Sequence, residues 1–180
     1  IRNNKGVRMS RTFTLPKKGT GAWSEGWHRL TVSNAKYGTY NDSKYIDVWF
    51  DGYPDNFNMR IYEKIGKDGE EFAIGNLFRF ANAGITDALE SATGETIIKM
   101  DDGPEQLTGQ EVNAFFYKNG KFTRILNQVA PTEFKNIVEE FEPKDVAYFK
   151  GKAEKYFNEY VKPKMEVVEE AVTADADVPF

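Results

Sequence analysis

Three short stretches alternate aromatic or charged side chains with apolar ones: "KYIDVWFD" (Lys44–Asp51), "FNMRIYEK" (Phe57–Lys64) and "AFFYKNGKFTR" (residues 114–124). In an extended chain a period of two sends alternate side chains to opposite faces. Ile46, Val48 and Phe50 then oppose Tyr45, Asp47 and Trp49, and Phe57, Met59 and Ile61 oppose Asn58, Arg60 and Tyr62. The two apolar triplets must be core, which leaves Tyr45, Trp49, Arg60 and Tyr62 outside. Phe115, Tyr117, Phe122 and Arg124 join them if the side carrying Ala114 and Ile125 is the buried one. A loop between the first two strands would add Lys36, Tyr37, Tyr40 and Lys44. Rings interleaved with cations are what unpaired nucleic acid requires: every base offers a π-face worth ~1–3 kcal/mol when stacked, and Lys and Arg neutralise phosphates. Any one of these rings is more often packing than stacking, so the expectation rests on the set.

Other chemistry has little to work with. Zero cysteines remove disulfides, thiolate zinc ligands and thiol catalysis. One histidine, His28, removes multi-histidine metal clusters and reads as a partly exposed strand residue. Asp101-Asp102 before Gly103-Pro104 is better explained by turn formation than by a metal site, since two-metal chemistry needs several convergent acids. "GKDGEE" lacks the strand, spaced glycines and Lys-Ser/Thr of a phosphate loop. The expectation is a binding protein without cofactor or metal, with a metal-dependent nuclease as a distant rival.

The net charge of −4 conceals a polarity. Arg2, Lys5, Arg8, Arg11, Lys17 and Lys18 stand without an acid in residues 1–20, whereas residues 163–180 set Glu166, Glu169, Glu170, Asp175 and Asp177 against Lys164. Blocks of like charge usually mark solvated arms, and an acidic arm competes for whatever anion site a basic surface offers. No run approaches the ~18 apolar residues of a membrane helix, and the first residues lack the apolar stretch of a signal peptide. A cytosolic protein without membrane association is expected.

The elements that must hold these residues follow from pattern. "WHRLTVSNAK" (Trp27–Lys36), Lys44–Asp51 and Phe57–Lys64 read as three strands separated by turn formers. Ile74, Leu77, Phe78, Ala81 and Ile85 recur at helical spacing, predicting a helix of roughly four turns. "ETIIKM" (Glu95–Met100) is a strand or part of the connection. Two β-rich runs joined by Asn119-Gly120 predict a hairpin with a type I′ turn, pairing Lys118 with Lys121, Tyr117 with Phe122, Phe115 with Arg124 and Ala114 with Ile125. Phe149, Ala153, Tyr156 and Tyr160 form one stripe of a last helix ended by Pro163, serving as core or as a contact in a homo-oligomer. Beyond it the small and acidic residues read as disordered.

Three strands, a helix and a hairpin is the order of an OB-fold, a five-stranded, partly open Greek-key barrel with a helix between strands three and four; an up-and-down barrel or a two-layer α+β sheet accommodates the same order. The expected fold is therefore mostly β with helices, divided into a basic arm (1–20), an OB-fold domain (21–142), a C-terminal helix (143–162) and an acidic tail (163–180). OB-fold ligands lie across strands two and three, flanked by the first-second and fourth-fifth loops, which adds Lys118 and Lys121 to the candidate face.

The last residues, "ADADVPF", join acids to an apolar Val-Pro-Phe end that suits a partner pocket with a basic rim. This end resembles the acidic tip of bacterial single-stranded DNA-binding proteins, and "GWHRLTVSNAKYGTYNDSKYIDVWFDG" with "LTGQEVNAFFYKNGKFTRILNQVAP" is similar to OB-fold single-stranded DNA-binding proteins of bacteriophages. The resemblance implies coating of exposed strands during replication, recombination or repair in the host bacterial cytoplasm. It also implies recruitment of host or phage replication and recombination proteins through Asp175, Asp177, Val178, Pro179 and Phe180. Alanines interrupt the acids, Val178 stands in place of the usual Ile, and the long linker of the cellular proteins is missing. The rival from another class is a protein-interaction adaptor or inhibitor whose barrel binds protein and whose tail mimics the host tip.

Overall fold

The structure, a computed structural model, describes residues 10–14 and 22–165. The rest of the basic arm and the acidic stretch from residue 166, with Asp175, Asp177, Val178, Pro179 and Phe180, lie outside the described residues.

Five strands form one antiparallel sheet. Strand β1 (Gly26–Tyr40) is long, and β2 (Ser43–Phe50) and β3 (Met59–Tyr62) follow it as a meander. Strands β4 (Ile85–Glu90) and β5 (Thr96–Met100) pair with each other alone, and β6 (Glu111–Asn119) and β7 (Phe122–Ile125) complete the main sheet in the order β3-β2-β1-β6-β7. One strand serves two neighbours because of a bulge at Ser33: Val32 faces Phe50 but Asn34 faces Trp49. The extra residue bends β1, so its first half pairs with β6 and its second half with β2. It also shifts the inward set from Leu30 and Val32 to Ala35 and Tyr37.

The apolar triplets are core: Ile46, Val48, Phe50, Phe57, Met59 and Ile61 are all buried, with Val112, Ala114 and Phe116 of β6 closing the same face. Helix α1 (Ala73–Phe80) seals that core with Ile74, Leu77, Phe78 and Phe80. Its N-terminus is capped by the Glu71 carboxylate, which accepts the N–H groups of Ala73 (3.0 Å), Ile74 (3.1 Å) and Gly75 (2.8 Å).

The four-turn helix expected here is cut to two. Asn82 (φ 54°) and Gly84 (φ 69°) take left-handed conformations, and Ile85 opens β4. Glycine is required at 84 because a Cβ would collide with the Asp101 carbonyl, while the Asp101 N–H donates to Gly84 O at 2.6 Å. "ETIIKM" is a strand, paired with residues assigned to the helix or to its connection.

The segment expected as a loop between the first strands is also strand. Asn41 (φ 48°) and Asp42 (φ 65°) make a two-residue type I′ turn, so the ladder runs out to Tyr40 and Ser43. In the β6–β7 hairpin the turn centres on Gly120 (φ 63°) and Lys121, and Asn119 faces Phe122. Observed pairs are Tyr117 with Arg124 and Phe116 with Ile125, two residues away from the expected register. Positive φ at Gly120 alone fits a type II′ turn, which needs only the glycine.

After a short β8–β9 pair (Phe134–Lys135 and Glu140–Phe141), helix α2 (Pro143–Tyr156) starts from a reciprocal cap between Glu142 and Asp145. It does not stop at Pro163. A π-helical turn over Phe157–Val161 precedes helical residues 162–165, with the Lys162 N–H reaching Phe157 O. Proline has no N–H to donate and its ring crowds the carbonyl four residues earlier; a wider turn just before it relieves both. The extra residue also turns the stripe: Phe149, Ala153 and Tyr156 face inward as expected, but Tyr160 is 58% exposed and Phe157 packs in its stead. No helix among the described residues is long and apolar enough to cross a membrane.

Candidate nucleic-acid interface

Pairing register assembles the outward face of β1, β2 and β3 into two rows. Lys36, Asp47 and Arg60 lie side by side in one, and Gly38, Tyr45 and Tyr62 in the next. Arg60 grips Asp47 through Nε to Oδ1 (2.8 Å) and Nη2 to Oδ2 (2.9 Å), and Asn58 Nδ2 donates to the same Oδ1 at 3.0 Å. The guanidinium carbon sits 3.7 Å from the Tyr45 ring centroid, and that ring meets Tyr62 edge-on at 5.6 Å. Hydrogen bonding to Asp47 raises the Arg60 pKa above its ordinary value, so the charge is permanent. The Arg60 side chain is still 39% exposed. The result is a flat cation fixed at its edge by a carboxylate and backed by a ring, an arrangement whose chemistry suits stacking on a planar group and pairing with an anion.

Glycine 38 makes this stack fit. A Cβ there would lie 2.5 Å from Cζ and Oη of Tyr45, yet the Gly38 backbone lies outside the left-handed region and accepts alanine. Gly38→Ala is expected to keep or slightly raise stability, by about 0.5 kcal/mol, because alanine loses less freedom in a strand. The Tyr45 ring must swing aside while Arg60 keeps its two bonds to Asp47, and if this face binds single strands, oligonucleotide affinity falls about fivefold. Paired urea unfolding and fluorescence titration check it; a chain unchanged in both would separate Tyr45 from binding.

The face continues past Asn58 into a groove of about 570 Å³ between the residues leading into β3 and strand β7. Trp23, Phe57 and Asn58 line one wall, and Tyr117, Lys121, Phe122 and Arg124 the other. Among the described residues two cations and no carboxylate line it. Phe122 is 64% exposed with the Arg124 guanidinium 5.5 Å from its centroid. A chain of net negative charge thus still gathers two cations, Lys121 and Arg124, along one groove.

The structure brings together Lys36, Tyr40, Tyr45, Trp49, Arg60 and Tyr62 on the outward face, and Tyr117, Lys121 and Arg124 in the groove. Four of the sequence candidates fall away from this surface. Tyr37 pairs with Ile46 on the core side and donates its hydroxyl to the Asp102 carbonyl at 2.8 Å. Lys44 shares the parity of Ile46 and points to that side too. Phe115 is covered by Phe157 (5.2 Å) and Trp27 (5.4 Å). Lys118 is paired with Thr123 and donates to its Oγ1 at 2.6 Å. Tyr117 is half-covered, its ring 5.0 Å from Phe157, and Trp49 is half-buried with Nε1 donating to Asp55 O at 2.9 Å. Trp23 and Asn58 belong to the site beyond the candidates, and Phe122, expected outside with the rest of the hairpin face, lines the groove with them; Asn58 could have been found from its parity with Arg60.

Burial, with Asp102 next in weight, pushes the Tyr37 phenol up to about 12 from 10.0. The folded state therefore favours the neutral phenol. Its contribution to stability is whole below pH 10 and is lost as pH rises through about 12. Tyr53 and Tyr117 are raised in the same direction by burial. Urea unfolding at pH 9 to 12 is expected to show the native chain weakening more steeply than Tyr37→Phe, with the remaining slope belonging to the other two phenols.

His28 stacks on Phe116 (4.2 Å) and its Nε2 lies 2.6 Å from Ser24 O, a packed and half-buried position. Asp101 accepts from the Gly103 N–H (2.9 Å) and from Gln106 Nε2 (3.1 Å), which is turn formation. Among the described residues no three His, Asp or Glu side chains gather where they could hold a metal ion. These features define a mostly β protein whose main sheet carries an aromatic and cationic outer face. Comparison with protein-family models, with curated proteins and with solved structures finds nothing that matches the chain.

Proposed function

We propose that this protein binds single-stranded DNA without catalysing a reaction, using the outward face of β2 and β3 and the groove beside β7. The observation that carries the reading is Arg60, held flat between Asp47 and Tyr45 on a surface that leads into a groove lined by Lys121 and Arg124 and, among the described residues, by no carboxylate. We read the sheet as an OB barrel in which β6 and β7 are the fourth and fifth barrel strands and β4–β5 is an inserted hairpin. Three features support this: the order β3-β2-β1-β6-β7, the bent first strand shared between two neighbours, and a helix after the third strand. Ligands of that fold cross strands two and three, where the ring and cation rows lie.

The role is coating of exposed strands in replication, recombination or repair, in a bacteriophage or its host cytoplasm, and it draws on the sequence likeness given above. In the same reading Asp175, Asp177, Val178, Pro179 and Phe180 recruit partner enzymes. Deleting residues 178–180 is expected to leave or raise DNA affinity while abolishing pull-down of replication proteins; an unchanged pull-down contradicts it. Titration of labelled oligo-dT against salt tests the core of the proposal. Affinity should fall linearly with log salt, and stacking on the open face by itself contributes little dependence on base composition. Absence of binding at low salt overturns it.

A protein-interaction adaptor is the second reading, favoured by one feature. Leu89 and Ile97 face each other across β4–β5 and are 42% and 46% exposed, an apolar pair better suited to protein than to nucleic acid. An adaptor would ignore the oligonucleotide in the same titration.

A further inference from the structure

Where the outward face of β3 ends at Tyr62, a second cavity of about 310 Å³ opens between β3, α1, the chain after β7 and α2. Rings of Tyr62, Phe72, Phe149 and Tyr156 stand in its walls, and among the described residues no carboxylate lines it. Arg79 is committed to Glu139 by two bonds of 2.6 and 2.8 Å. Lys64 and Lys152 are not: they make no ion pair among the described residues, and their ammonium groups lie 5.7 Å from the Tyr156 centroid and 5.8 Å from that of Tyr148. The side-chain amides of Asn127 and Gln128 are half-buried at the wall and hydrogen-bond to no group among the described residues.

A cavity of this size falls at the lower end for small-ligand sites. Its lining asks for a flat ring with hydrogen-bonding edges and negative charge nearby. A nucleotide has all three: faces for the tyrosines, an edge for the amides, and phosphates for the lysines. Tyr62 belongs both to this cavity and to the outer face, so a strand lying along β3 reaches it without a break.

We propose that one base of the bound strand leaves the stack on the outer face and inserts here. Asn127 and Gln128 meet its edge, and Lys64 and Lys152 meet the flanking phosphates. This rests on the single-strand-binding reading and adds to it a consequence that stacking alone lacks. Stacking on open rings tolerates every base, whereas a pocket with amide donors and acceptors leaves them unpaired when the wrong base enters. The protein therefore has a base preference at one position of its site.

Equal-length oligo-dT, oligo-dC and oligo-dA, titrated with the native chain and with Asn127→Ala/Gln128→Ala, test this. The native chain is expected to rank the three by about fivefold, and the double variant to bind them within about twofold of one another. Lys64→Gln/Lys152→Gln should keep the ranking and flatten the log–log salt slope by about 1.4, at ~0.7 per phosphate on a single strand. Circular dichroism controls for folding. An unaltered ranking in the amide variant, or equal binding of all three by the native chain, overturns the pocket while leaving the outer face standing. A synthetic peptide of residues 166–180 that shifts the Asn127 and Gln128 amide resonances, where oligonucleotides do not, overturns it in favour of an acidic peptide. Failure of the native chain to bind any of the three overturns both readings.

Discussion

Arg60→Ala is expected to weaken oligo-dT binding by tenfold to a hundredfold, and Arg60→Lys to recover only part of that loss. The guanidinium does two things at once. On the single-strand-binding reading its charge meets phosphate, and its plane, fixed by two bonds to Asp47 and backed by Tyr45 at 3.7 Å, offers a face to a base. Loss of one stacked base costs about 1–3 kcal/mol, and loss of one phosphate contact takes about 0.7 from the salt slope. Lysine keeps the second and forfeits the first, since an ammonium has no plane. Salt titrations of the three chains separate the terms: alanine lowers both affinity and slope, whereas lysine lowers affinity with the slope retained. Removing Arg60 also leaves the nearly buried Asp47 held by Asn58 alone, so a fall of a few degrees in the unfolding midpoint accompanies the alanine variant. Binding of Arg60→Ala equal to that of the native chain would remove this face from the interface.

Phe116→Ala should be the most damaging single truncation of the sheet, costing about 3–5 kcal/mol. Phe116 is wholly buried, and its ring centroid lies 4.2 Å from His28, 5.2 Å from Phe57 and 5.6 Å from Tyr53. These partners come from β1 and from the stretch joining β2 to β3, so the cavity would open where both halves of the sheet meet. Against a total stability of about 5–15 kcal/mol this is a large share, and the unfolding midpoint should drop by roughly 10 °C. Thermal and urea unfolding measure it. A cost under about 1 kcal/mol would mean that Phe116 is not at the centre of the core.

Much of the framework follows from period alone. The triplets Ile46, Val48, Phe50 and Phe57, Met59, Ile61 declare their buried side because nothing polar interrupts them. Where two physical reasons compete for one residue, the pattern misleads. Gly38 looks like a turn former, yet it is small so that the Tyr45 ring can lie across β1, and the turn needs only Asn41 and Asp42. The apolar spacing from Ile74 to Ile85 satisfies a helix, but left-handed Asn82 and the crowded Gly84 divide it between α1 and β4. Asn119-Gly120 announces a hairpin correctly and its register wrongly, because glycine alone carries the positive φ. The candidate site shows the same limit. Tyr45, Arg60 and Tyr62 could be assigned from parity within their own strands. That Phe115 lies under a helix residue forty-two positions later is a tertiary fact no local pattern encodes.

The wide turn at Phe157–Val161 also sets a direction. Each residue of an α-helix advances about 100° around its axis, so the one residue more that this turn holds gives the backbone at Met165 a different bearing from the one regular winding would impart. Trimming a single residue there would swing that bearing at Met165 by roughly a quarter revolution, with every side chain of the sheet left in place.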